Sequence, residues 1–285
     1  MPALVPIGLR AVLASVVACC VAAGAAAQTN LGSNPTVASG ATLTLNAGDF
    51  FTGTLTVGTA GQNNGFLYLA ADYTSSNAFV FTGTNSQLTY NSTPRTLTLT
   101  SSASLTRTGA GNSTFFNSID NAGIFTVNGG TLFSNASFTN QTGGNVTVTG
   151  SGSILRLNNL TNAGTLTITS SGLVQFTGNL TTGNLGAIAL SSGGAIEFAN
   201  GSVLNNTGAT LNAPTGGAYL FNGTITGGNI TATALTQSSG ILDGATVTGS
   251  FSVPAGAQLT LKNAAGWLGT LTVGTGGQNN GFLYL

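Results

Sequence analysis

A period of about 19–22 residues runs through the middle of the chain. Ile119-Asp120-Asn121-Ala122-Gly123 is followed by Phe138-Thr139-Asn140, then Leu160-Thr161-Asn162-Ala163-Gly164. Leu180-Thr181-Thr182-Gly183-Asn184 and Leu204-Asn205-Asn206-Thr207-Gly208 continue the series. After each comes an apolar alternation: Phe125-Thr126-Val127, Val146-Thr147-Val148, Leu166-Thr167-Ile168 and Ile188-Ala189-Leu190. A glycine-bearing turn such as Ser170-Ser171-Gly172 then leads to a second alternation. These are Leu155-Arg156-Leu157, Val174-Gln175-Phe176, Ile196-Glu197-Phe198 and Tyr219-Leu220-Phe221.

Alternation with period two marks half-buried strands, and Gly, Asn and Ser between them mark turns. Strands this short cannot hold themselves. Stacked coil on coil at the inter-strand spacing, they bury Leu, Ile, Val and Phe in one continuous core. The expectation is an all-β chain: a parallel β-solenoid, as a right-handed β-helix, with coils of about 19–22 residues. About ten such coils fit between Gln28 and Leu285. Asn at the recurring turn suits a left-handed backbone and can form hydrogen-bonded ladders between coils.

A longer period overlies the short one. Residues 37–69 align without a gap on residues 253–285, an offset of 216. From Gly53 to Leu69 the copy at Gly269 to Leu285 differs only where Ala60 becomes Gly276. The sequence stops inside the second copy, which suggests a fragment of a longer reading frame. At the other end, Arg10, the apolar run Ala11 to Val21 and Ala25-Ala26-Ala27 have the layout of an export signal. The expected organisation is a signal peptide over 1–27, a short linker over 28–36 and the solenoid over 37–285. Both cysteines, Cys19 and Cys20, fall in the signal. Val16-Val17-Ala18-Cys19 also resembles a lipobox, but the apolar continuation to Ala27 favours an ordinary signal core. A mature chain from Gln28 then has no disulfide available.

Composition narrows the chemistry. Five Lys or Arg face five Asp or Glu in 285 residues, and there is no His. Ser-His-Asp and Cys-His machinery and imidazole metal sites are therefore excluded. Sparse, balanced charge gives no footprint for nucleic acid. The nonapeptide glycine repeat that binds Ca²⁺ in β-rolls does not occur, and acids are too few for a carboxylate cage. No cofactor or metal ligand set is expected, and no catalytic residue is assigned.

The units Leu-Thr-Asn-Ala-Gly-Thr-Leu-Thr-Ile and Phe-Thr-Gly-Thr-Leu-Thr-Val-Gly resemble the repeats of bacterial autotransporter passengers and filamentous-haemagglutinin-type adhesins. The resemblance is one of pattern and covers most of residues 37–285. It implies export, display at the cell surface or outer membrane, or release outside the cell. It also implies multivalent contact with extracellular glycans, matrix or neighbouring cells, with end-to-end self-association as a further expectation. Residues 37–285 are not expected to hold the membrane barrel or the sorting tail that the resemblance would imply.

Two alternatives carry named residues. A carbohydrate-active β-helix needs two carboxylates about 5–10 Å apart. Among Asp49, Asp72, Asp120, Glu197 and Asp243, the best pair is Asp49 and Asp72, about one coil apart. Arg95 lies one coil further on, and Asp49 becomes Ala265 in the second copy. The other reading is an ice-binding hydroxyl lattice from Thr42/Thr44, Thr54/Thr56, Thr165/Thr167 and Thr270/Thr272, interrupted by Ile124, Ala187 and Ala189. Solvated turn acids and ordinary strand threonines are the plainer readings. Sequons at Asn91, Asn135, Asn159 and Asn222 arise by chance in such a composition. Phe66, Phe176, Phe198 and Phe221, and Trp267 in the place of Phe51, are expected to pack in the core.

Overall fold

The computed structural model describes residues 28–62, 65–237, 239–274 and 281–285; residues 1–27, expected as a signal and holding Cys19 and Cys20, lie outside them. The chain winds into a parallel β-solenoid of about 12 turns. Each coil carries three strands, so the cross-section has three faces. In a central coil Ser118–Asn121 lies on the first face, Ile124–Asn128 on the second and the first half of Thr131–Asn140 on the third. The next coil places the second half of Thr131–Asn140, then Asn145–Thr149, then the first half of Ile154–Asn162 over those three. Residues 28–36, expected as a linker, contain the first strand, Asn30–Ser33, which pairs with Phe50–Thr52.

Period two dictates what goes inside. Leu155, Leu157, Val174, Phe176, Ile196, Phe198, Tyr219 and Phe221 are all buried, as are Phe125, Val127, Val146, Val148, Leu166 and Ile168. The rings stack along the axis. Phe125 sits 6.5 Å from Phe115 and 4.9 Å from Phe138, and Phe198 sits 5.5 Å from Phe176 and 4.9 Å from Tyr219. Edge-to-face and offset pairs of this kind add about 0.5–1.5 kcal/mol each beyond burial. Phe66 departs from expectation. It faces outward on Phe66–Leu69, where Leu67 and Leu69 take the inward places.

Coil length varies more than the sequence period suggests. The steps Ile124 to Asn145, Asn145 to Thr165 and Thr165 to Ala187 keep to 19–22 residues. Gln87, however, pairs with Thr114, 27 residues on, and Tyr219 pairs with Leu235, only 16 on. Corners lie outside the ladders, so residues can be added or removed there without disturbing register. The turns exceed the expected ten because the 258 residues from Gln28 to Leu285, divided by 19–22, already make about 12, and long and short coils offset one another.

The first-face strand of the central coils sits where the sequence reads as a turn. Ser118–Asn121 keeps the alternation, with Ile119 in, Asp120 out and Asn121 in. Asn121, Asn140 and Asn162 are 0, 0 and 4 % exposed. Their amides form the expected ladder: Asn121 Nδ2 donates to Asn140 Oδ1 and Asn140 Nδ2 to Asn162 Oδ1, each at 2.8 Å. Asn162 Nδ2 ends the line on the carbonyl of Leu185. These asparagines are not left-handed. Among the described residues, the non-glycine residues of positive φ are Asn34, Asn85, Ser170, Ser171, Ser192, Asn263 and Ala264, at other corners. A strand-ending Asn must stay extended to aim its amide inward. The sharp bend passes to the glycine after it: a Cβ on Gly164 would lie 2.2 Å from the carbonyl oxygen of Gly144.

Arg107, on Ser104–Thr108, also points inward and is fully buried. Its guanidinium donates to the carbonyls of Thr108, Gly109, Ala110 and Gly111, three of these at 3.1 Å, and its Nε has no partner. Desolvation pulls its pKa below the usual arginine value.

The two copies of the long repeat keep the same internal register. Thr42 pairs with Phe66 and Gln258 with Phe282; Val37 pairs with Val57 and Val253 with Val273. Yet they occupy different faces. Phe66–Leu69 stacks on the third face, while Phe282–Tyr284 stacks on the first, over Gln258–Lys262. A step of 216 residues does not close on a whole number of turns.

Candidate functional site

Outward positions of the third face carry the densest chemistry. Phe133, Arg156, Gln175, Glu197 and Leu220 stand in one row, each in register with the next. From Arg156 onward, each is the middle residue of an alternation whose neighbours point into the core, so backbone geometry alone aims it at solvent. The Arg156 guanidinium lies 4.9 Å over the Phe133 ring. Arg156 Nε donates to Gln175 Oε1 at 2.6 Å, and Gln175 Nε2 donates to Glu197 Oε2 at 2.6 Å. The glutamine amide thus joins a cation to an anion, its oxygen toward one and its nitrogen toward the other.

The line then turns onto the corner between the third and first faces. Asn222 Nδ2 donates to Glu197 Oε1 at 2.6 Å, Ser239 N to Asn222 Oδ1 at 3.1 Å, and Gln258 N to Ser239 Oγ at 3.2 Å. A shallow groove of about 350 Å³ runs along this corner, lined by Glu197, Asn200, Asn222, Ser239, Gln258 and Thr260, with Gly240 and Ile241 at its base. From Phe133 to Gln258 the track crosses six inter-coil steps, roughly 30 Å at the usual strand spacing. It offers one exposed edge of hydroxyls, amides and a charge pair on a wall that cannot easily bend. Its electrostatics are local: Arg156 and Glu197 are tied to each other through Gln175 and leave no net charge.

Sequence reasoning passed over this track, although the signal was there. Arg156, Gln175 and Glu197 are the central residues of three successive second alternations, although in the sequence Glu197 reads as an isolated acid.

The acids singled out for catalysis take other work. Asp49 and Asp72 do sit one coil apart at the same corner, just before Phe50–Thr52 and Tyr73–Ser75. Asp49 is buried, not solvated. Its Oδ1 accepts from Thr29 N at 2.9 Å, and its Oδ2 accepts from Asn46 N at 2.8 Å and Asn46 Nδ2 at 3.0 Å. Tyr73 donates its hydroxyl proton to the Asp49 carbonyl, and burial, then the Asp49 charge, raises the Tyr73 pKa. Asp72 accepts from Thr96 N at 2.9 Å. Arg95 N donates to Asn117 Oδ1 at the next equivalent corner. In this corner column Asp49, Asp72 and Asn117 each pin one coil to a neighbour. Where Ala265 replaces Asp49, the backbone bond of the turn persists, from Ala265 N to Lys262 O. Asp120 and Asp243 accept from Gln141 and Asn263.

The threonine pairs do not make one lattice. Thr42/Thr44 lie on the third face and Thr54/Thr56 and Thr165/Thr167 on the second; Thr272 stacks on Ser252. The second face does align Thr106, Thr126, Thr147 and Thr167, but Val80 and Ala189 bound the row. Ile124, Ala187 and Ala189 fall in the registers where the sequence puts interruptions. Asn222, a sequon, has its amide committed to Glu197. Trp267 packs 5.5 Å from Phe251 and donates to the Gly249 carbonyl.

Set against models of protein families, against curated proteins and against solved structures, this chain finds no match.

Proposed function

We propose that the chain is an exported structural and adhesive β-solenoid without catalytic activity, displayed at the cell surface in the manner of autotransporter passengers and filamentous haemagglutinins. The track from Phe133 to Gln258 carries this reading. A rigid row of donors and acceptors, one or two per coil, suits an extended polar polymer such as a glycan strand, which touches each coil weakly. Weak contacts along one stiff wall add in a single binding event, so avidity grows with the number of coils engaged. Ordered, prepaired side chains also spare the ordering cost that loose surface chains would impose.

The test is binding of the chain to immobilised extracellular polysaccharides, compared with an Arg156→Ala, Glu197→Gln, Asn222→Ala triple variant. Partly exposed pairs contribute only about 0–1 kcal/mol to folding, so the variant should remain folded. Affinity should drop at least tenfold in the variant and decline stepwise as coils under the track are deleted. Equal binding by both proteins would overturn the reading. Polysaccharide turnover that disappears in Asp72→Asn would replace it with the enzyme reading.

A further inference from the structure

Among the described residues, the second-face ladder is broken once. Ala187–Leu190 stacks on Thr165–Thr169 below, but Thr210–Leu211 in the following coil pairs only with Asn229–Thr231 above. Between these two levels the chain makes an excursion through Asn212, Ala213 and Pro214, and only Thr215 returns to touch the ladder. It donates from its N to Ile188 O at 3.1 Å and accepts from Leu190 N at 2.7 Å. Proline explains the detour, because it fixes φ and has no N–H to give a ladder.

The unpaired step between Ala187–Leu190 and Thr210–Leu211 leaves a cleft of about 270 Å³. Its walls are Leu185, Ile188, Leu211 and Pro214, all buried; Thr182, Thr210, Asn212 and Thr215 give it polar groups. Among the described residues, no charged side chain lines it. Tyr219 also lines the cleft, is 4 % exposed, and packs its ring 4.9 Å from Phe198.

We propose that this cleft binds a single neutral sugar residue. The volume lies near the low end for small-molecule sites, which run from about 300 Å³ upward, so it admits one ring rather than a chain. Apolar walls meet the C–H face of a pyranose, and the threonine, asparagine and tyrosine groups meet its hydroxyls. The absence of a charged lining disfavours uronates, whose carboxylate would be desolvated without a counter-ion. Tyr219, which lines the cleft, supplies the phenol hydroxyl that orients the ring. This site is separate from the Phe133–Gln258 track, and either can stand without the other.

The test is titration of the whole chain with neutral monosaccharides and the matching uronates, followed by calorimetry and protein-observed NMR. A neutral sugar should bind saturably and shift the resonances of Leu211, Thr215 and Tyr219. Tyr219→Phe, which removes one oxygen, should weaken binding roughly fivefold, as loss of a neutral hydrogen bond does. Ala213→Trp, on the exposed excursion and away from the core, should abolish it. The track variant Arg156→Ala with Glu197→Gln should bind as the parent does. No saturable binding by the parent would overturn the proposal. So would binding that is insensitive to both cleft substitutions, or that follows the track variant.

Discussion

Asn121 and Asn140, one coil apart, are joined inside the solenoid by a 2.8 Å bond from the amide nitrogen of the first to the amide oxygen of the second. Asn140 in turn donates to Asn162 Oδ1 and to the Thr165 carbonyl. It is therefore the hinge of a fully buried polar line. Asn140→Ala strands a donor on Asn121 and acceptors on Asn162 and Thr165, each costing about 1–3 kcal/mol when unpaired. The variant should lose about 3 kcal/mol in urea unfolding, while Thr139→Ser, on the outer side of the same strand, should change stability by about 0.5 kcal/mol or less.

Arg107 sets four carbonyls around one planar group. A lysine ammonium carries the same charge but is a compact point with three donors, and cannot reproduce that fan. Arg107→Lys should cost about 1–3 kcal/mol in the same denaturation assay. A neutral outcome would mean that the carbonyls are satisfied by water instead.

Tyr219 gives the fold an alkaline limit. Burial pushes its hydroxyl up to about 12, from an ordinary value near 10. The unfolded chain releases this proton first, so the stabilisation is whole below pH ~10 and is lost as pH rises toward ~12. Tyr219→Phe should flatten that limb by about 2 kcal/mol at pH 12 and leave neutral stability near the parent's. Tyr73, whose pKa burial and Asp49 also raise, should keep a smaller residual slope.

Phe125 lies between Phe115 and Phe138 in the core column. Phe125→Ala should cost about 3–5 kcal/mol. In a stack whose coils touch only their neighbours, the damage should remain local. Hydrogen exchange should accelerate in the strands around Ile124–Asn128 and stay slow around Gly240 and Leu259. Uniform acceleration along the whole chain would contradict a nearest-neighbour stack.

The sequence made some of this plain and hid the rest for physical reasons. Leu155-Arg156-Leu157 and its successors declare strands because two apolar residues flank one polar residue, and all fold as such. Ser118–Asn121 hides its strand because its second inward residue is an amide, and Asn away from its partners reads as a turn. Arg107 was invisible in the same way: an arginine in an alternation looks like an outward side chain until four carbonyls gather around it. Asp49 and Asp72 were correctly placed one coil apart, but whether a carboxylate meets substrate or backbone depends on which N–H groups the next coil brings. Glu197 shows the reverse. Alone it meant little, and its meaning came from the register that set Gln175 and Asn222 on either side.

The one-face displacement of the long repeat has a mechanical consequence. Phe66–Leu69 and Phe282–Tyr284 share a sequence yet look out in directions about a third of a turn apart around the same stiff axis. A partner that recognises that segment would be held at two points facing different ways. The rod would then act as a cross-linker between separate surfaces, where copies stacked on one face would have given only a stronger grip on a single surface.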